Sequence, residues 1–492
     1  MFQYSTARKK SAQFDFEIFF VFEIADKNKN KTESFFPPNL SDSMITSDFK
    51  GEFKDAQIVY QKINNKIRRI LLIGLGNPDE LNGDKLRETG FLIGQKTAKL
   101  KANKIIIHIT SIKFDTNSTV ETIADGFLYS SYSFREYKTK NQKDVSKPKI
   151  TFLGTESISD NIFNRLEAIH SGIKLARNLA NEPSNNLTPQ ILKKRASAAF
   201  RDLENINFKS LNKKELIEKK MNGILSVAKG SIEDPFLLII RYKPEKNNGK
   251  KIVLVGKGVT FDSGGISIKP SAQMDEMKFD MSGAAAVIGI LKTVSILKPD
   301  TEIIGIIPAV ENMPGQNALK PGDIIKAYNG KTIEIINTDA EGRLILADAL
   351  AFGVEKYQPN VVIDFATLTG AVVVALADKM AGMFTKSDEI AQILYEAGER
   401  SGDRVWRLPL LDSYAKEMDS KIADIKNLGS RWGGAVTAAK FLENFVSDSN
   451  WVHLDIAGVA YEVKDKDYFP TGATGFGVKL FINALDRLEQ DL

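Results

Sequence analysis

Asn337-Thr338-Asp339-Ala340-Glu341-Gly342-Arg343-Leu344 is the stretch from which the fold is read. Ahead of it, residues 332–336 have the character of a short strand, and behind it residues 344–357 form a strongly helical run. A strand that passes through a polar turn into a helix is the repeating unit of an α/β fold. In a strand-like segment residues i, i+2 and i+4 face the same way, so Asp339, Glu341 and Arg343 would point into one cleft. Two carboxylates so close repel each other unless a cation lies between them. The stretch therefore reads either as a metal site or as a solvated acidic loop.

Working outward, the same unit recurs. Candidate strands at 237–241, 252–256, 302–307, 361–365 and 452–456 alternate with helices near 190–202, 282–297, 344–357, 389–401, 435–446 and 477–488. This alternation predicts a mostly parallel central sheet flanked by helices, with its site in the loops beyond the strand C-termini. A hairpin over 324–336, turning at Asn329-Gly330, delivers the chain to the acidic stretch.

The first third reads as a smaller α/β domain. Strands are expected at 14–24, 69–73, 104–110 and 126–132, a helix at 85–101, a polar loop at 26–43 and a charged connector at 138–149. Gly74-Leu75-Gly76-Asn77-Pro78 lacks the third glycine and the immediate helix of a dinucleotide fingerprint, so it reads as a turn after a strand. A long helix over 156–180, stopped by Asn181-Glu182-Pro183, links the halves. The expected organisation is an N-terminal domain over 1–155, a connecting helix over 156–182 and a catalytic domain over 183–492.

Size and composition agree. At 492 residues, 43% hydrophobic and 26% charged, the chain is long enough for two globular domains. The net charge of +5 is mild for this length, so a solvated basic surface explains it better than nucleic-acid binding does. The absence of cysteine excludes disulfide and thiolate chemistry and suits a reducing cytoplasm, the expected location. Asp15, Glu17 and Glu23 interrupt the apolar run near the start, which argues against a secretory signal. No run approaches the ~18 apolar residues of a membrane span.

The partner of the acidic stretch is Val255-Gly256-Lys257-Gly258-Val259-Thr260-Phe261-Asp262-Ser263-Gly264-Gly265-Ile266-Ser267-Ile268-Lys269. It follows an apolar strand but lacks the GK[ST] ending of a phosphate loop. What remains is a glycine-rich strand-end loop that displays Lys257, Asp262 and Lys269, with Asp280 just beyond. An α/β sheet would bring these near Asp339 and Glu341. Four carboxylates without a histidine suit hard or borderline dications such as Mn²⁺, Mg²⁺ or Zn²⁺. They exceed what one dication needs for neutrality, and two ions sharing carboxylates would balance them. Such a centre polarises a carbonyl and acidifies water. His108, His170 and His453 lie outside these loops.

These two stretches closely resemble the cytosolic leucyl aminopeptidase family of two-metal exopeptidases. The likeness continues through Ala176-Arg177-Asn178-Leu179-Ala180-Asn181-Glu182-Pro183, Ala366-Thr367-Leu368-Thr369-Gly370-Ala371, Trp406-Arg407-Leu408-Pro409, Gly433-Gly434-Ala435 and His453-Leu454-Asp455-Ile456-Ala457-Gly458. It covers the chain from about residue 170 onward. The resemblance implies that Lys257, Asp262, Asp280, Asp339 and Glu341 hold two divalent ions (Mn²⁺ or Zn²⁺), with Asp262 and Glu341 bridging. It implies that Lys269 stabilises the oxyanion, that Arg343 holds a bicarbonate general base, and that Met277, Thr367, Leu368 and Gly370 line the substrate. The substrate's free amino group would bind one ion. Peptide substrates led by leucine or another bulky apolar residue, and a homohexamer, are further expectations. In the first 150 residues only 71–76 and 84–90 match the family, and 1–12 reads as an extension. The competing reading is a DNA-binding protein on the same fold, but no recognition-helix pattern or basic stripe supports it.

Overall fold

The computed structural model describes residues 3–7, 14, 16–23, 48–63, 66–110, 112, 115–139, 148–154, 160–464, 466–469 and 471–491. The polar loop expected at 26–43 lies outside them, as do residues 140–147 of the connector, residues 155–159 at the start of the linking helix and most of the extension at 1–12. The chain divides into two units, Met1–His170 with Lys466–Tyr468, and Ser171–Asp465 with Phe469–Leu492.

The smaller unit is built on a six-stranded sheet in the order Gln3–Ala7, Lys149–Leu153, Lys104–His108, Phe16–Phe22, Lys66–Gly76, Ala56–Ile63. Only the last pairing is antiparallel. Gln3–Ala7, within the expected extension, supplies one edge.

The strand expected at 126–132 is instead the end of the helix Thr116–Ser130. Gly126, three aromatics and two serines mimic a strand locally, but the helix starts upstream, where the Asp115 side chain caps the Ser118 amide. Its buried Val120, Ile123, Ala124 and Phe127 keep helical spacing. Gly126 permits close packing: a Cβ there would meet the Arg87 carbonyl oxygen of the helix Gly83–Lys99 at 1.8 Å.

The larger unit has a nine-stranded sheet. Its order is Val405–Arg407, Ala381–Phe384, Asn450–Asp455, Val361–Ala366, Lys251–Gly256, Glu302–Asn312, Phe236–Tyr242, Ile206–Leu211, with Gly258–Asp262 also paired to Glu302–Asn312. The four central strands from Asn450–Asp455 to Glu302–Asn312 run parallel, and antiparallel pairings occur toward the edges. These central strands are buried on both faces, as their largely apolar content requires. The helices Ser282–Leu297 and Gly342–Tyr357 are buried along nearly their whole length. Among the described residues, the helical run Met274–Leu297 is long and apolar enough to cross a membrane, but 83% of its most apolar window is buried inside the protein, as a core helix demands.

The hairpin forms from Ile324–Lys326 and Thr332–Glu334, with Gly330 at φ 92° in the turn. The helix expected to reach 446 is Gly434–Glu443, because the Asn444 side chain bonds the carbonyls of Lys440 and Phe441 and ends it.

Candidate metal centre

Lys257 directly follows the central strand Lys251–Gly256. Its amide bonds Phe365 O (3.0 Å) on the neighbouring strand and its carbonyl accepts from Ala284 N (2.8 Å) at the start of a helix, so the backbone is pinned from two sides. The buried side chain brings Nζ to 2.7 Å from Asp280 Oδ1, 2.9 Å from Glu341 Oε1 and 2.9 Å from Thr367 O. Asp262 ends the strand Gly258–Asp262. Its Oδ1 accepts from Gly264 N (2.9 Å) and Asn312 Nδ2 (2.8 Å), while Oδ2 lies 2.8 Å from Lys269 Nζ. Lys269 also pairs with Asp339. The loop between them doubles back at Gly264, whose φ of +87° places it in the left-handed region.

Asp339, Glu341 and Arg343 share the cleft for a different reason from the one expected. The strand ends at Glu334, residues 338–339 form a turn, and Arg343 already lies in the helix Gly342–Tyr357. Alternation along a strand therefore does not align them. The turn is held by side-chain bonds: Asn337 Oδ1 accepts from Asp339 N at 2.7 Å, and Thr338 Oγ1 donates to Gly264 O at 2.6 Å. Asn427, fully buried, donates to Asn337 O (2.7 Å) and accepts from Ile336 N (2.7 Å).

The electrostatics ask for more positive charge than the protein supplies. One oxygen each from Asp262, Asp280 and Glu341 lie within 4.8 Å of one another, and all three residues are buried. Four carboxylates with Asp339, against the ammonium groups of Lys257 and Lys269 and the nearby guanidinium of Arg343, still leave one negative charge uncompensated. Burial raises the Asp280 pKa well above the usual carboxylate range, with the Glu341 and Asp262 charges adding to it and Lys257 opposing. Burial, then Asp262 and Glu341, push Asp339 up to about 6. Burial disfavours the ammonium of each lysine, yet the surrounding carboxylates raise both pKa values overall. Asp280 Oδ2 is buried without a hydrogen bond, and Glu341 Oε1 and Asp339 Oδ1 are met by the ammonium groups of Lys257 and Lys269. Buried acceptors short of donors and an excess of negative charge are what divalent cations satisfy, so the residues fit a metal centre. Arg343 is buried too. Burial lowers its pKa to about 10, against the pull of Glu341 and Asp455, so it stays a cation at neutral pH.

All eleven residues singled out in the sequence line one cleft of about 390 Å³: Lys257, Asp262, Asp280, Asp339, Glu341, Lys269, Arg343, Met277, Thr367, Leu368 and Gly370. Glu276 and Tyr461 line it as well. Behind this lining stand three residues that sequence reading missed. Asn312 steadies Asp262, Asn427 steadies the 336–340 turn, and Asp455 accepts from Leu368 N (3.1 Å) and from Thr369 Oγ1 (2.6 Å). Asn312 and Asp455 end central strands, and that position was the one signal that could have found them.

Fold and cleft together define an α/β protein with a carboxylate-rich cleft, suited to divalent metal, at the C-terminal ends of the parallel strands of its central sheet. The chain matches the catalytic-domain model of the cytosol aminopeptidase family over residues 174–482 and the N-terminal-domain model of that family over 18–141. The second match extends the likeness well beyond 71–76 and 84–90. Probable cytosol aminopeptidases of Desulfotalea psychrophila and Roseiflexus castenholzii are each 42% identical, over 460 and 465 residues, covering 90% and 92% of this chain and 91% and 94% of theirs. That of Cenarchaeum symbiosum is 44% identical over 416 residues, covering 84% of each chain. Among solved structures, the bottromycin maturation enzyme BotP in complex with Mn superposes with a TM-score of 0.84 at 29% identity, covering 97% of this chain and 100% of that one. The chain belongs to the cytosol aminopeptidase family, the divalent-metal-dependent aminopeptidases.

Proposed function

We propose that this aminopeptidase removes leucine and other bulky apolar residues from peptide N-termini with two divalent ions, Mn²⁺ or Zn²⁺, held by Lys257, Asp262, Asp280, Asp339 and Glu341. Asp262 and Glu341, the most deeply buried carboxylates of the set, would be the pair shared by the two ions. The observation that carries this reading is the convergence of four carboxylates on two lysines in one cleft, with buried oxygens left short of donors. Bound there, the ions would supply Lewis acidity toward the peptide carbonyl and acidify a water.

The chain's own groups do the rest. Lys269 presents its ammonium at the cleft and stabilises the oxyanion as negative charge grows on the carbonyl oxygen. Arg343 donates through Nη1 to Asn427 O at 2.8 Å, which fixes the guanidinium and leaves its buried Nε without a protein partner. That free N–H supports the reading in which Arg343 holds a bicarbonate that takes the water's proton. Met277, Thr367, Leu368 and Gly370 bound the space for the first side chain and backbone. Thr367 Oγ1 donates to Asp280 Oδ1 at 2.8 Å, coupling that wall to the metal set. A homohexamer in the cytoplasm completes the proposal, on the family resemblance.

The deciding experiment is hydrolysis of a leucyl amide before and after chelation. Activity should vanish with the metal and return with Mn²⁺ or Zn²⁺. Full turnover by metal-stripped protein would sink the mechanism.

A further inference from the structure

The edge of the cleft carries a guanidinium that no acidic group of the protein answers. Leu428 and Gly434 both line the cleft, and between them the chain is exposed at Ser430, Arg431 and Trp432. Trp432 is 71% exposed, and the Arg431 guanidinium lies over its indole, 4.6 Å from the ring centroid. Among the described residues Arg431 has no carboxylate partner and makes no side-chain hydrogen bond. Arg404 and Arg407 of the same unit, by contrast, pair with Glu399 and Asp388. The turn that carries Arg431 is braced. Ser430 N donates to Glu417 Oε2 at 3.2 Å. Gly433, at φ 63°, leads into the helix Gly434–Glu443, and Thr437 N donates back to Gly433 O at 2.9 Å. Gly434 also abuts the helix Gly370–Leu376, because a Cβ there would stand 3.1 Å from that of Ala371.

A guanidinium stacked on an indole has its plane held while its N–H edge stays open, and that fork matches a carboxylate. The first residue, as proposed, fills the space bounded by Met277, Thr367, Leu368 and Gly370. The peptide beyond the scissile bond then leaves along the rest of the lining, to which Leu428 and Gly434 belong. A short peptide ends there in a carboxylate, the one group at that end whose charge complements Arg431. We infer that Arg431, held on Trp432, is a specificity-determining residue that binds the C-terminal carboxylate of short peptides. The enzyme therefore favours short peptides with a free carboxyl end over the same peptides amidated. The inference rests on the proposed metal set and first-residue site.

The test measures kcat/KM on the metal-loaded enzyme for leucyl peptides extended by one, two or three glycines, each as the free acid and as the C-terminal amide. At the length that brings the carboxylate to Arg431, the wild type should favour the acid by about fivefold, the scale of one well-oriented surface ion pair. Arg431→Gln should bring that ratio close to one. A residue serving only fold or assembly would change both rates alike and leave the ratio unmoved, which would overturn the inference. Equal wild-type rates for acid and amide at every length would overturn it as well, and that comparison needs no variant. Turnover of the amidated peptides reports the underlying site separately. If the amides are cleaved but no acid preference appears, Arg431 lacks this role and the proposed site stands. If no peptide of the series is cleaved, the proposed site falls and this inference with it.

Discussion

Arg343 is anchored by the main chain of Asn427: its Nη1 donates to the Asn427 carbonyl oxygen at 2.8 Å, across 84 positions of sequence. The Asn427 side chain meanwhile brackets the turn that carries Asp339, through Asn337 O and Ile336 N. One fully buried residue thus sets both the guanidinium and the acidic turn. Asn427→Ala keeps the carbonyl but strips the turn of a donor and an acceptor, and each orphaned buried group costs roughly 1–3 kcal/mol. The expected result is a lower Tm together with weaker metal binding and a reduced kcat at saturating metal. Wild-type metal affinity in a destabilised variant would show that Asn427 serves the fold alone.

This arrangement also shows what sequence could and could not reveal. Local patterns carried the strand and helix alternation of the larger unit, because the period of apolar residues is written into each segment. The acidic and lysine residues of the cleft stood out because they follow strands. The same local logic misled at residues 126–132, where a glycine that serves helix–helix contact mimicked a strand break. It misled again at 339, 341 and 343, which a turn and a helix start bring together instead of a strand face. Asn312, Asn427 and Asp455 act through contacts spanning 26 to 90 positions, and nothing near them in the chain announces a partner.

Glu341→Gln keeps the shape of the side chain and removes its charge. Lys257 then retains Asp280 and the Thr367 carbonyl as partners, so the fold should survive. Bound metal, measured on the purified protein, should fall, and leucyl amide turnover should drop to background while circular dichroism is unchanged. Normal turnover would remove Glu341 from the centre.

Gly342 is dictated by Lys257. A Cβ at position 342 would stand 2.4 Å from Lys257 Cε and 2.8 Å from Nζ, in a space where the lysine is only 3% exposed. Gly342→Ala should displace the ammonium at an overpacking cost of about 1–3 kcal/mol. Activity should therefore fall by more than the loss in Tm accounts for, since the displaced group belongs to the proposed metal set. Retained kcat with a lowered Tm would contradict that placement.

Asp348 gives a prediction in pH. It is wholly buried in the helix Gly342–Tyr357 and accepts from Tyr328 N (2.8 Å) and Ile224 N (3.1 Å). Burial pushes its pKa from 3.8 up to about 7, although backbone N–H bonds from Tyr328, Ile224 and Gly223 oppose the rise. The folded protein therefore binds this proton more tightly than the unfolded chain does. Its stabilising contribution is full below about pH 4 and is lost as pH rises through 7, a change of about 4 kcal/mol at 1.36 per pKa unit. Asparagine cannot titrate, so the difference in unfolding free energy between wild type and Asp348→Asn isolates this group. That difference should shift against the wild type between pH 4 and pH 8 in urea titrations. A difference constant across the range would mean that the three N–H bonds hold Asp348 ionised throughout, with solvation lost to burial fully replaced by the backbone.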